Sequence, residues 1–255
     1  MREKIFEKLN EIEKTYNVKI LYAVESGSRG WGFESKDSDY DVRFIYIQKP
    51  EWYLSILDKR DVIELPINDL LDINGWDIRK ALVLYSKSNP TLLEWFNSPI
   101  IYKKHTSFRD KLSEMLMQYF SSKSCIYHYL HMARGNYREY LKVDKVKIKK
   151  YFYVLRPIMA CMWVEKFKNQ PPMLFQELMD SLSLDENLIK EIDSLLIRKK
   201  AGVEMDLEDR IDIINNFLED KIAYFETYVK TIKPKKNDIN ELDMFFRDIL
   251  KEAWE

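Results

Sequence analysis

The sequence is poor in cysteine and in long apolar runs, and each shortage excludes a class of protein. It has two cysteines in 255 residues, Cys125 and Cys161, too few for a disulfide framework or a cysteine-rich zinc site. No stretch approaches the roughly 18 consecutive apolar residues of a transmembrane helix. The opening MREKIFEKLNEIEK lacks the apolar core of a signal peptide. We therefore expect a protein of the reducing cytoplasm with no membrane partner.

An excess of charge of one sign is also absent. The 41 basic and 42 acidic side chains give a net charge of −1, which excludes a globally basic nucleic-acid-binding protein but permits local basic patches. The chain is 46 % hydrophobic and 14 % aromatic, so it has enough apolar surface to form a core, and global disorder is excluded.

Glycine is scarce and concentrated. Average usage of ~7 % would give roughly 18 glycines, but the chain has six. Three of them, Gly27, Gly30 and Gly32, fall within six residues. This cluster indicates a place where the backbone turns tightly or closely approaches another group.

Hydrophobic periodicity divides the chain into two parts. The periodicity of the first part predicts an amphipathic helix over 4–16 and short strands over 18–24, 41–47, 61–65 and 70–73. It also predicts helices over 76–86 and in the segment after Asn89-Pro90. The rest predicts helices over 106–121, 124–142, 146–168, 172–182, 185–199, 207–230 and 238–253. Pro157 is expected to kink the third of these or to mark its start. We predict an α+β protein, with an α/β catalytic domain at 1–104 and an all-helical domain at 105–255.

The segment VESGSRGWGFESKDSDYDVRFIY carries the chemistry. A strand ends at Gly27-Ser28, and Asp39 and Asp41 open the next strand. Side chains two apart on a strand share a face, so both carboxylates can bind one divalent cation. The turn at Gly27 can present backbone N–H groups and the Ser28 hydroxyl to a phosphate. Metal-assisted phosphoryl or nucleotidyl transfer needs this combination, whereas the alternative for the aspartates is an Asx-type turn leading into a strand.

The same motifs resemble the DNA polymerase beta-type nucleotidyltransferase superfamily. GSRGWGF, DSDYDVRFIY, LDINGWDIRKAL and SNPTLLEWFNSPIIY resemble a narrower group, the predicted bacterial and phage nucleotidyltransferases sometimes associated with RNA ligases. The resemblance covers about residues 20–180. It implies a small mixed sheet with flanking helices, followed by a helical domain. It also implies that Gly27 and Ser28 bind phosphate and that Asp39 and Asp41 are the first two metal ligands.

The resemblance further implies a third carboxylate on a neighbouring strand. Asp72 in LLDINGW is the first candidate, because it lies in a short apolar strand just before Gly75. Glu64 in DVIEL is the alternative, and only the sheet register decides between them. Asp61, Asp69 and Asp77 are interpreted as strand-edge or capping residues.

Basic residues supply further candidates. Arg29 lies beside the phosphate-binding turn and can reach a phosphate with two guanidinium nitrogens; the alternative is a surface arginine. Arg43 shares the face of Asp41, where it can orient the carboxylates or a phosphate. The lysine-rich KVDKVKIKK is followed by aromatic residues, a pattern suited to a triphosphate or an RNA strand; the alternative is a solvated helix face. The resemblance assigns Lys149, Lys150 and Arg156 to the triphosphate.

These observations predict a metal-dependent nucleotidyltransferase. It would transfer a nucleoside monophosphate from an NTP, with ATP the expected donor and Mg²⁺ or Mn²⁺ the expected metal, to an acceptor hydroxyl such as an RNA end. One alternative is an enzyme that nucleotidylates a protein hydroxyl, including AMPylation. Another is a non-catalytic module that binds a nucleotide or RNA. The sequence leaves the NTP, the acceptor and the oligomeric state open.

Overall fold

The computed structural model describes residues 1–67, 70–105, 107–202 and 207–255. Its contacts divide the chain into two compact units, each assembled from separate stretches of sequence. The sheet unit comprises Met1–Gly30, Asp39–Phe120 and Lys236–Glu255. The helical unit comprises Trp31–Ser38 and Ser121–Lys235. Asp69 lies outside the described residues.

The sheet unit alternates short strands with helices. Its strands are β1 (Lys19–Glu25), β2 (Tyr40–Ile47), β3 (Val62–Glu64), β4 (Leu71–Asp77) and β5 (Ile101–Lys104). Its helices are α1 (Arg2–Tyr16), α2 (Gly27–Gly30), α3 (Pro50–Tyr53), α4 (Ile78–Ser86), α5 (Pro90–Phe96), α6 (Phe108–Tyr119) and, from the far end of the chain, α12 (Asn240–Trp254).

The strands form one mixed sheet in the order β3-β4-β2-β1-β5. β2 and β4 are parallel, and the other neighbouring pairs are antiparallel. The predicted α+β class, with a small mixed sheet and flanking helices followed by a helical region, is confirmed. β5 was not predicted from the sequence.

Local sequence explains why the principal elements begin and end where they do. Ile5, Leu9 and Ile12 bury one face of α1 and join the core of the sheet, as the helical spacing of these residues predicts. At the start of α4, Asp77 Oδ1 accepts a hydrogen bond from Arg79 N at 2.9 Å. Asn89 caps α5 in the same way, with Pro90 at the first helical position. The interpretation of Asp77 as a capping residue is confirmed.

The division by contacts differs from the predicted boundary at residue 104. α6 and α12 pack in the sheet unit, where the rings of Phe108 and Phe245 stack at 5.9 Å between centroids. Trp254 Nε1 donates to the carbonyl of Gln48 at 2.8 Å. Apolar surface on these two distant helices is therefore buried against the N-terminal part of the chain.

The helical unit surrounds one long buried helix. It contains α7 (Ser122–Asn136), a π-helical turn at Tyr137–Leu141, α8 (Ile148–Phe167), α9 (Phe175–Ser181), α10 (Glu186–Lys200) and α11 (Asp212–Thr231). α8 runs from Ile148 through Pro157 without interruption, so the proline does not mark its start. Two short strands, β6 (Lys145–Lys147) and β7 (Leu207–Asp209), pair antiparallel where the periodicity predicted helix.

The segment Trp31–Ser38 is anchored inside the helical unit, although it directly follows the glycine-rich turn. The Phe33 ring lies 4.8 Å from that of Phe152 and 5.5 Å from that of Phe175. Phe175 N donates to the carbonyl of Trp31 at 3.0 Å. Across the part of the chain that the structure describes, no helix is both long and apolar enough to cross a membrane.

Candidate active site

The glycine-rich turn is built against the first residues of β2. Gly27 has φ +57°, and a Cβ added there would lie 2.0 Å from Asp41 Oδ2. Ser26 N donates to the carbonyl of Asp41 at 2.8 Å, which fixes the turn beside that residue. The structure therefore places the Gly27-Ser28 turn and the Asp41 carboxylate next to each other, and only glycine fits at position 27.

Asp41 and Asp72 face one another across neighbouring strands. The parallel pairing of β2 with β4 matches Asp41 with Asp72. Their side chains are 28 % and 29 % exposed, so both carboxylates are partly accessible to solvent. Two carboxylates this close repel each other unless a cation lies between them.

Arg43 supplies that cation. Its Nη2 lies 3.0 Å from Asp41 Oδ1 and 2.7 Å from Asp72 Oδ2. Its Nη1 donates to the carbonyls of Val42, at 3.2 Å, and Asp72, at 3.1 Å. The guanidinium therefore bridges the two strands at the point where their carboxylates meet.

Asp39 lies outside this bridge. It precedes β2 and is exposed. Arg29 Nε donates to the Asp39 carbonyl at 3.1 Å, and the Arg29 guanidinium lies 3.8 Å from the centroid of the Tyr40 ring. Arg29 thus packs on the chain that leads into β2, at the edge of the candidate site.

Glu25 is a site residue that the sequence reasoning did not single out. It ends β1 and is fully buried. Its Oε1 accepts from Asp41 N at 2.6 Å, and its Oε2 accepts from the Tyr102 hydroxyl. Burial raises the pKa of the Glu25 carboxyl, and the two hydrogen bonds oppose the rise. The available signal was an acidic residue ending an apolar strand directly before Gly-Ser.

The site concentrates negative charge in a partly desolvated place. Burial raises the pKa of the Asp41 carboxyl above its ordinary value. The Arg43 charge lowers that pKa, whereas the charges of Asp72 and Asp39 raise it further. Additional positive charge near Asp41 would therefore be electrostatically favourable.

The sheet register separates the two candidates for the third carboxylate. Asp72 is paired with Asp41 on β4, whereas Glu64 lies on the edge strand β3 opposite Asn74. Glu64 is exposed, and it accepts from Asn74 Nδ2 at 3.0 Å and from Arg60. The geometry thus brings Asp72, and not Glu64, beside Asp41.

The carboxylates do not form a closed metal site by themselves. Within the described ranges, no group of three or more His, Cys, Asp or Glu residues is arranged to hold a metal ion. The predicted three-ligand cluster of Asp39, Asp41 and Asp72 is therefore not assembled, because Arg43 bridges two of its members and the third is exposed outside that bridge. The residues still fit Mg²⁺, which proteins usually hold through one or two carboxylates completed by water and substrate phosphates.

The three helical residues assigned to the triphosphate have different surroundings. Lys149 and Lys150 lie half-buried in the first turn of α8. Lys150 Nζ lies 3.5 Å from the centroid of the Tyr140 ring, and desolvation together with the Lys149 charge lowers its pKa. Arg156 is 1 % exposed. Its guanidinium lies 4.9 Å from the Trp31 ring centroid, and its Nη2 donates to the Met173 carbonyl at 3.3 Å.

The small mixed sheet with flanking helices and a helical region is a nucleotidyltransferase-like fold, and comparison with known proteins identifies the family. The RNA repair pathway DNA polymerase beta family (RlaP) matches residues 1–248. The chain is also 50 % identical over 255 residues to YcgL, an uncharacterized protein of Bacillus subtilis (strain 168), covering 100 % of this chain and 98 % of YcgL. This chain therefore belongs to the RNA repair pathway DNA polymerase beta family.

A likeness among solved structures is much weaker. A nucleotidyltransferase-like protein from Exiguobacterium sibiricum aligns with this chain at 11 % identity and a TM-score of 0.33. The alignment covers 89 % of this chain and 75 % of the Exiguobacterium chain. At that score the likeness carries no argument about this site.

Proposed function

We propose that this protein transfers a nucleoside monophosphate from an NTP, with ATP the first candidate, to an acceptor hydroxyl in a reaction that depends on Mg²⁺ or Mn²⁺. The observation that carries the proposal is the pairing of Asp41 with Asp72 on neighbouring strands, directly beside the Gly27 turn. That arrangement sets a cation-binding carboxylate pair next to backbone that can face a phosphate.

Each part of the site has a role in this proposal. Asp41 and Asp72 would hold the divalent ion, which would neutralise phosphate charge and polarise the α-phosphate. The Gly27-Ser28 turn donates hydrogen bonds to phosphate oxygens. Asp39, exposed at the entrance to β2, would be a further ligand of that ion. The acceptor oxygen attacks the α-phosphorus, a site carboxylate takes its proton, and pyrophosphate leaves.

An RNA end is the acceptor that we propose. The name of the family, RNA repair pathway DNA polymerase beta family, supports this proposal. In the helical unit, an open groove of about 590 Å³ is lined by Arg134, Arg138 and Lys142, together with Glu219 and Glu226. Arginine and lysine side chains along a groove suit a phosphate backbone.

Lys149 and Lys150 are proposed to bind phosphate, since both reach the surface in the first turn of α8. The same proposal for Arg156 requires its buried guanidinium to leave the Trp31 ring. Ala substitution of each residue, followed by NTP titration with and without RNA, tests these assignments. A contact residue should lose about tenfold to a hundredfold in affinity, and unchanged affinity in all three variants would reduce the lysine-rich segment to a solvated helix face.

The proposed activity is tested by incubating the full chain with each α-³²P-labelled NTP. The reactions contain Mg²⁺, Mn²⁺ or EDTA, with total cellular RNA or protein as acceptor. We expect metal-dependent label in RNA, with release of unlabelled pyrophosphate. Asp41→Asn should abolish labelling, whereas the matched control Asp61→Asn should not, because Asp61 pairs with Lys80 outside the site.

The outcomes separate the alternatives. Label in protein instead of RNA would reassign the acceptor to a protein hydroxyl. Nucleotide binding without any transfer would indicate a non-catalytic module. Transfer that is equally fast in EDTA, or in Asp41→Asn, would refute the proposed site.

A further inference from the structure

Several hydrogen bonds hold the Arg43 side chain in place at the candidate site. Its two terminal nitrogens reach the carboxylates of Asp41 and Asp72 and two backbone carbonyls, at 2.7 to 3.2 Å. The side chain is only 19 % exposed. Holding a long, charged side chain in one conformation and partly out of water costs free energy, and strong opposite charge nearby must offset that cost.

The position of Arg43 follows from the sheet itself. It lies two residues after Asp41 on β2 and therefore on the same face. Its register partner on β4 is Asn74, two residues after Asp72. A side chain with the reach of arginine can turn back from this rung and contact both carboxylates of the neighbouring rung.

The place that Arg43 Nη2 occupies is where a shared divalent ion would bind. One nitrogen contacts one oxygen from each aspartate, as a bridging cation would. A guanidinium and a metal ion cannot both lie between the same two oxygens. Binding of one cation must displace the other.

We propose that Arg43 is a built-in counter-cation that competes with the divalent ion for Asp41 and Asp72, so that metal binds well only together with nucleotide. This inference rests on the proposed function. In the absence of ligand, the guanidinium neutralises the carboxylate pair and weakens the affinity for free metal. When the metal arrives with an NTP, the displaced guanidinium pairs with phosphate oxygens, which replace the two carboxylates as partners. Metal and nucleotide then bind cooperatively, and each raises the affinity for the other by the same factor.

The experiment measures Mn²⁺ binding by calorimetry and by electron paramagnetic resonance, with the full chain in the absence and presence of a non-hydrolysable ATP analogue. Arg43→Gln removes the charge and keeps much of the side chain's length. Arg60→Gln is the matched control, because Arg60 also pairs with a carboxylate, Glu64, but both side chains are exposed.

We expect Arg43→Gln to bind free Mn²⁺ about tenfold to a hundredfold more tightly than the wild type, since it no longer loses charge-assisted hydrogen bonds on metal binding. The analogue should raise the Mn²⁺ affinity of the wild type strongly and that of Arg43→Gln much less. Arg60→Gln should match the wild type in both respects. The melting temperature of Arg43→Gln should rise more on Mn²⁺ addition than that of the wild type.

Arg43→Lys provides the result if Arg43→Gln does not fold. Lysine keeps the charge but lacks the fork that spans both strands, so its free-Mn²⁺ affinity should lie above that of the wild type. Unchanged or weaker Mn²⁺ binding in the folded variants would overturn the role of Arg43 and leave the proposed function standing. Failure of wild type and variants alike to bind Mn²⁺, with or without the analogue, would instead refute the metal site and the proposed function.

Discussion

Replacement of Gly27 by alanine tests the link between the turn and the carboxylate. The new Cβ would lie 2.0 Å from Asp41 Oδ2 and 2.8 Å from Asp41 Cγ, far inside van der Waals contact. The left-handed backbone at φ +57° adds about 1–2 kcal/mol of strain for any residue with a Cβ.

The clash can be relieved only by moving the Asp41 side chain, because the backbone of Asp41 is held by its hydrogen bonds with Ser26 and Glu25. Rotating the carboxylate breaks its 3.0 Å contact with Arg43. Losing a charge-assisted hydrogen bond costs about 1.5–3 kcal/mol, so together with the backbone strain the free energy of unfolding should fall by roughly 2.5–5 kcal/mol. Nucleotide transfer should fall by at least about 100-fold, since a displacement of ~1 Å at a reacting centre has that effect.

Gly202 provides the control for backbone strain. It has φ +87°, but a Cβ there would meet none of the described atoms within 4 Å, so Gly202→Ala should show the strain alone. Urea unfolding and the labelling assay, applied to both variants, separate strain from the clash. The reasoning is refuted if Gly27→Ala is no less stable than Gly202→Ala and remains fully active.

Three further predictions concern single side chains. Asp72→Asn should lower the rate of nucleotide transfer by on the order of 10³-fold, about 4 kcal/mol of barrier. Glu64→Gln should keep most activity. The reverse result in the labelling assay would assign the third carboxylate to Glu64 on β3. Lys150→Ala should weaken NTP binding by about tenfold or more. Lys145→Ala is the exposed-lysine control, because Lys145 is exposed and pairs with Asp209. Equal NTP affinities of the two variants, measured by titration, would remove Lys150 from the triphosphate site. Burial raises the pKa of Asp77 from 3.8 to about 6. Because the folded state holds this proton more tightly than the unfolded state, the free energy of unfolding should fall as the pH rises from about 4 to about 6. Asp77→Asn should flatten that part of a pH series of urea midpoints, and an unchanged slope would contradict the shift.

Local patterns in the sequence determined most of the individual elements near the site. The apolar spacing of α1 and the alternation in β2 predicted both correctly. The Gly-Ser turn and the position of Asp41 at the start of β2 were also predicted, because both depend only on neighbouring residues. Asp39, predicted to share a face with Asp41, lies before the strand and outside the Arg43 bridge. The Gly-Ser and D-x-D motifs therefore predicted the chemistry that we propose before any tertiary contact was known.

Pairings between distant segments were decided by the tertiary structure. β6 and β7 lie about 60 residues apart in sequence, and each is too short to outweigh the helical periodicity around it. β5 is a four-residue strand, and α12 packs in the sheet unit although it lies more than 100 residues beyond α6. Such pairings depend on which apolar faces remain uncovered after local structure has formed, and no local pattern encodes that.

The residues of the candidate site likewise divide into those predicted from local sequence and those positioned only by the tertiary structure. The sequence by itself determined that acidic side chains and a glycine turn lie at the ends of two strands. Only the parallel register of β2 with β4 placed Asp72 beside Asp41 and left Glu64 on the edge. The burial of Glu25 and the bridge from Arg43 likewise arise from packing between strands. A residue's type is local information, whereas the distance between two charges, and hence what they can bind, is set by the fold.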